Sequence, residues 1–93
     1  MGIKLELLTK ENCHKCDWVK ENVLPALRLK GYEVVINDYT KYPTAFYVMN
    51  ELNGVPVLII QKDKRMIVMD KGLTYNNVER TIKDLSNFIN SNT

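Results

Sequence analysis

The sequence holds little of what marks several large classes of protein. Two cysteines in 93 residues are too few for the disulfide scaffold of a small secreted domain. With a single histidine, a closed four-ligand zinc site would need a carboxylate or a second subunit beside those cysteines. Lysine and arginine number 13 against 11 aspartates and glutamates, a net charge of +2. That is far from the basic excess that binds a phosphate backbone, so no nucleic-acid partner is expected. No apolar run approaches the ~20 residues of a membrane span, and Lys4 and Glu6 interrupt the core that a signal peptide would need. No membrane association is expected, and a cytoplasmic location is. Four glycines and three prolines fall singly at element boundaries, without repeats or linker composition, so residues 1–93 read as one domain. Nothing demands an oligomer, and a monomer is expected.

What is present is a clear alternation of periods. Ile3, Leu5 and Leu7 alternate with Lys4 and Glu6, which predicts a strand near residues 3–8. Val19, Val23 and Leu27, joined by Trp18 and Leu24, mark an amphipathic helix that ends at Gly31 and is kinked by Pro25. Residues 33–38 read as a β-branched strand, and Pro43-Thr44 opens a short helix that stops at Asn53-Gly54. Tyr39, Tyr42 and Tyr47 around that helix read as core and rim packing. The unbroken apolar run from Val55 to Ile60 suits a strand covered on both faces, with residues 65–69 returning beside it after a turn at Lys62-Asp63-Lys64. Val78, Ile82, Leu85 and Ile89 mark a last helix, with Thr74 its expected N-cap. The order β-α-β-α-β-β-α implies a parallel first pair, an antiparallel last pair, and a mixed four-stranded sheet with helices on both faces.

The chemistry concentrates at Cys13-His14-Lys15-Cys16. The spacing puts both cysteines on one face of a helix, and their position directly after the first strand puts them at its N-terminus. Unpaired N–H groups and the positive end of the helix dipole favour a thiolate at Cys13. Lys10, Lys15 and a protonated His14 would add to the effect, while Glu11 and Asp17 would oppose it. Such a thiolate, with a second thiol one turn away, can attack a disulfide and resolve the mixed disulfide through Cys16. Two other readings of the pair stand beside this one: buried structural cysteines, and a metal half-site in which His14 joins Cys13 and Cys16.

With Gly54-Val55-Pro56 just before the apolar strand and Cys-x-x-Cys after the first, the sequence resembles the thioredoxin-fold family. Within it the match is to the glutaredoxins, from Ile3 to about Asn90. The resemblance implies that Pro56 is a cis-proline facing the dithiol, and that the Val55 backbone pairs with the substrate's cysteine. Lys10 matches a lysine that glutaredoxins carry three residues before the first cysteine. His14-Lys15 replaces their usual Pro-Tyr, so the two residues would modulate the dithiol differently. The paired glycines and acidic residue that hold the glutathione carboxylate have no counterpart near residues 68–74, where Gly72 and Thr74 alone offer a backbone N–H and a hydroxyl. The tryptophan that precedes the first cysteine in thioredoxins is Asn12 here.

The resemblance thus implies an α/β, thioredoxin-like oxidoreductase of glutaredoxin type with no bound cofactor. Cys13 and Cys16 would be catalytic, and Lys10, Val55, Pro56, Gly72 and Thr74 would bind substrate. The substrates would be disulfide-containing proteins or small molecules, and the reductant either glutathione or a thioredoxin-reductase-type enzyme. The alternative is a metal-binding carrier using Cys13 and Cys16, similar to the heavy-metal-associated domains. Those carry a methionine where Glu11 stands and end on a strand, whereas this chain ends on a helical pattern. A third reading keeps the fold as a binding module with a structural disulfide.

Overall fold

The computed structural model describes residues 3–69 and 77–92. Four strands, β1 (Lys4–Thr9), β2 (Glu33–Asp38), β3 (Val57–Lys62) and β4 (Arg65–Val68), form one sheet in the order β2-β1-β3-β4. β1 runs parallel to β2, with Lys4 opposite Glu33 and Thr9 opposite Asp38. It runs antiparallel to β3, with Leu7 opposite Leu58, and β3 pairs antiparallel with β4 across the turn at Asp63-Lys64. The parallel pair needs a helical crossover and the last pair needs only a turn, so the mixed sheet expected from the element order is the one observed. The apolar run of β3 is central in it.

Helices α1 (His14–Asn22), α2 (Leu24–Leu29), α3 (Thr44–Met49) and α4 (Val78–Ser91) complete the architecture, with a 3-10 turn at Tyr39–Lys41. The strand pleat sends alternate residues to two cores. Leu5, Leu7, Val34, Leu58 and Ile60 pack with Val19, Val23, Leu24 and Leu27 of the first helical segment and with Leu85 and Ile89 of α4. Trp18 is partly buried against this core, as its place on the apolar stripe predicts. On the opposite face Leu8, Val57 and Ile59 meet Tyr42, Leu52, and Phe46 and Tyr47 of α3. Helices thus cover both faces, and Glu6, in the polar half of β1's alternation, is 0% exposed.

Three local expectations are corrected. The kink at Pro25 is a division into α1 and α2 at Val23, with Pro25 in the first turn of α2. Proline has no N–H and its ring crowds the carbonyl four residues back, so the ladder breaks there. The chain nevertheless stays right-handed through Val23, whose N–H donates to the Val19 carbonyl at 2.9 Å and whose carbonyl accepts from Leu27 at 3.1 Å. Secondly, α4 is capped by Asn77, whose side chain accepts the Arg80 N–H at 3.0 Å; Thr74, the expected cap, lies outside the described residues. Thirdly, α3 ends at Met49, short of Asn53-Gly54.

The end of α3 has a physical cause. The Leu52 N–H donates to the Tyr47 carbonyl at 2.8 Å and the Glu51 N–H to Val48 at 3.1 Å, with Glu51 at φ 56°. This is the bonding pattern that closes a helix through a left-handed residue, usually glycine. At the end of α2 the same pattern uses Gly31, at φ 93°, with bonds from Gly31 to Arg28 and from Tyr32 to Leu27. Glutamate pays a Cβ clash in that conformation that glycine avoids. Glu51→Gly is therefore expected to raise stability by roughly 0.5–1 kcal/mol after the added freedom of the unfolded chain is counted. Urea unfolding checks it: a midpoint that stays or falls would mean the left-handed glutamate is held by something other than this closure.

Candidate functional site

The site is built where β1 hands over to α1. Glu11 and Asn12 make a tight turn, with Asn12 at φ 57°, a conformation that asparagine tolerates better than most residues. Cys13 then caps α1 in an extended conformation, φ −111° and ψ 103°. Its Sγ accepts the Cys16 N–H at 3.1 Å. In the structure the two sulfurs are bonded as a disulfide, with the Cα atoms 5.2 Å apart. Cys13 is 8% exposed and Cys16 is 0% exposed, so an incoming sulfur reaches Cys13 first. His14 and Lys15 are exposed on the first turn of the helix. The same cap that accepts an N–H in the disulfide would hold a Cys13 thiolate after reduction.

The second part of the site is the segment before β3. The Val55–Pro56 peptide is cis, as the resemblance implied, and both residues are half-buried. Val55 makes no backbone hydrogen bond to another described residue. Val55 and Lys10 meet in the wall of one cavity of about 510 Å³, which Tyr39, Tyr42, Tyr47 and Leu52 also line. The sequence pattern assigned these tyrosines to packing alone. Tyr42 and Tyr47 do pack against the second core, and the cavity is a further role that residue spacing did not reveal. Gly72 and Thr74 lie outside the described residues.

Beneath the cavity lies Glu6. Its Oε2 accepts from Asn37 Nδ2 at 2.7 Å and from Lys41 Nζ at 2.6 Å. Its Oε1 accepts from the Tyr42 hydroxyl at 2.7 Å and from Gln61 Nε2 at 2.8 Å. Burial pushes the carboxyl pKa up, but the hydrogen bonds from Lys41, Tyr42 and Asn37 and the charge of Lys41 outweigh it and hold it below its ordinary value. Burial and the Glu6 carboxylate push Tyr42 up to about 12, and burial also raises Tyr47. Tyr42 stacks on Phe46 with ring centroids 4.5 Å apart, and the Tyr47 hydroxyl donates to the Tyr39 carbonyl at 2.6 Å. The cavity wall is therefore tied to β1, β2 and β3 through one carboxylate.

Among the described residues, no group of three or more His, Cys, Asp or Glu side chains could hold a metal ion. Nor is any described helix long and apolar enough to cross a membrane.

Comparison with known proteins bears on the fold. No protein-family model and no curated protein matches the chain. Among solved structures it is similar to thioredoxin 1 from Thermosipho africanus, with a TM-score of 0.59 at 17% identity, over 94% of this chain and 98% of that one. It is also similar to a structure described as a malarial protein, with a TM-score of 0.57 at 16% identity, over 90% of this chain and 97% of the other. The chain has a thioredoxin-like fold. In this fold the strands run in the order β2-β1-β3-β4, and the Cys13–Cys16 pair lies at the N-terminus of α1.

Proposed function

We propose that the chain is a thiol–disulfide oxidoreductase of glutaredoxin type that reduces protein or low-molecular-weight disulfides. The observation that carries this reading is Cys13 at the N-cap of α1, its sulfur bonded to buried Cys16 and accepting the Cys16 N–H. A helix N-terminus stabilises the anion that disulfide exchange requires.

The chemistry is a two-electron exchange. In the reduced protein the Cys13 thiolate attacks one sulfur of the substrate disulfide; a new S–S bond forms, and the departing thiolate takes a proton from solvent. Cys16 then loses its proton, attacks Cys13 Sγ and expels the second substrate thiol. The dithiol is oxidised to the Cys13–Cys16 disulfide and the substrate is reduced to two thiols. An external thiol, either glutathione or a reductase, returns the two electrons. Val55 offers the substrate main chain its backbone edge beside Pro56, Lys10 offers a cation at the cavity wall, and His14 and Lys15 modulate the charge around Cys13. Gly72 and Thr74 complete the proposed substrate-binding set.

The order of attack is tested by Cys16→Ser. This variant is expected to accumulate a mixed disulfide on Cys13, with a mass increase equal to one substrate thiol. If the adduct forms on Cys16 of a Cys13→Ser variant instead, the roles are reversed. If neither variant forms an adduct, and the reduced protein binds Cu(I) or zinc tightly, the metal-carrier reading takes its place.

A further inference from the structure

Three features of the cavity beside Val55 define what it can hold. Among the described residues, Lys10 is the only charged residue that lines it. The Tyr42 and Tyr47 hydroxyls are committed to Glu6 and to the Tyr39 carbonyl, so much of what these rings offer a ligand is carbon. Finally, Val55 is both a wall of the cavity and a backbone edge without a partner among the described residues.

An extended peptide that adds to such an edge sends alternate side chains to opposite sides. One side chain close to the paired residue therefore enters the cavity. At about 510 Å³ the space lies within the range of small-ligand sites and readily admits a large ring. Ring-on-ring contact with tyrosines rewards an aromatic occupant beyond its area alone. Lys10 in the wall complements an acidic group on the same peptide.

We propose that this cavity is a specificity pocket for a bulky aromatic side chain flanking the attacked cysteine of a peptide or protein disulfide, with an acidic residue of that peptide at Lys10. The proposal rests on the oxidoreductase reading and adds the substrate class to it. A glutathione-sized disulfide carries no aromatic group and would leave the pocket unfilled.

The test uses short peptides of one length, each joined through a single cysteine to 2-mercaptoethanol. They carry Phe or Ala in turn on either side of the cysteine, with Glu or Lys beyond. Burial of a phenylalanine side chain in place of alanine corresponds to a rise in kcat/KM of about tenfold. That preference is expected for Phe at one flanking position, carried by KM, with Glu favoured over Lys and the charge effect weakened by salt.

Thr44→Trp, which fills the cavity from the first residue of α3, and Tyr39→Ala, which removes an exposed wall, should both bring the Phe-to-Ala ratio towards one. Tyr39→Ala retains the backbone carbonyl that Tyr47 uses, so it keeps the proposal testable if Thr44→Trp fails to fold. Equal rates for Phe and Ala peptides in the unaltered protein would overturn the pocket while leaving the oxidoreductase reading in place. An undiminished ratio in Tyr39→Ala would overturn the pocket's location. Failure to reduce any of the peptides would overturn both readings together.

Discussion

Replacing Cys13 with serine is expected to take disulfide reduction to the background rate, a loss of at least about a thousandfold for removal of a nucleophile. A serine hydroxyl does not ionise at this site in the way a thiol does, and it cannot form the mixed disulfide. The fold should survive, because serine is itself a favoured N-cap and its Oγ can accept the N–H that Cys13 Sγ accepts from Cys16 at 3.1 Å. Loss of turnover with unchanged far-UV circular dichroism therefore reports chemistry and not unfolding. Cys13→Ala, which removes the cap as well, should be equally inactive and less stable by about 1 kcal/mol. Substantial activity in either variant would remove Cys13 from the mechanism.

The second large effect belongs to Glu6. Its two oxygens face four donors, from Asn37, Lys41, Tyr42 and Gln61. A glutamine in its place would set an N–H₂ group against two of them, so Glu6→Gln leaves donors opposed whichever way the amide turns. The expected loss is about 1–3 kcal/mol at neutral pH, moderated because Lys41 is half-exposed and can return to water.

The pH dependence has a definite sign. The carboxyl of Glu6 is held below its ordinary value in the folded protein, so its contribution is complete above the unfolded value of about 4.3 and is lost as pH falls through the lower folded value. The stability gap between the wild-type protein and Glu6→Gln, measured by urea unfolding, should be widest near neutrality and close in acid, where wild-type Glu6 is also neutral. A gap that does not change with pH would mean that the variant acts through shape and not through charge. Because Tyr42 lines the cavity, the same variant should also weaken any preference that depends on it.

The parts of the fold readable from the sequence were those written in local patterns. Leu5 and Leu7, the β-branched run at 33–38, the apolar run before Gln61 and the period of α4 each specify an element from within a few residues. Cys13, Cys16 and Pro56 were legible because their motifs are short and their order along the chain is informative. Glu6 was not. Alternation places it opposite Leu5 and Leu7, which ordinarily means water, but with a helix on each face the second face is also interior. Its partners stand 31 to 55 residues away in the chain, beyond any local pattern.

The same reason hid the cavity, whose wall joins Lys10, the tyrosines and Val55 only after β1 and β3 have paired. Smaller departures at Pro25, Glu51 and Asn77 came from caps and breaks, where one hydrogen bond decides the boundary. Glu51 in particular occupies a position that sequence pattern reserves for glycine.

The most direct test of the central claim is the reduction potential of the Cys13–Cys16 disulfide, equilibrated in parallel against glutathione and a thioredoxin couple, with mixed disulfides followed by mass. A working exchange couple should fall between roughly −180 and −280 mV and equilibrate rapidly with at least one of the two. A potential well below about −300 mV, or a pair that forms no disulfide under these conditions, would contradict it and leave the two cysteines structural or metal-binding.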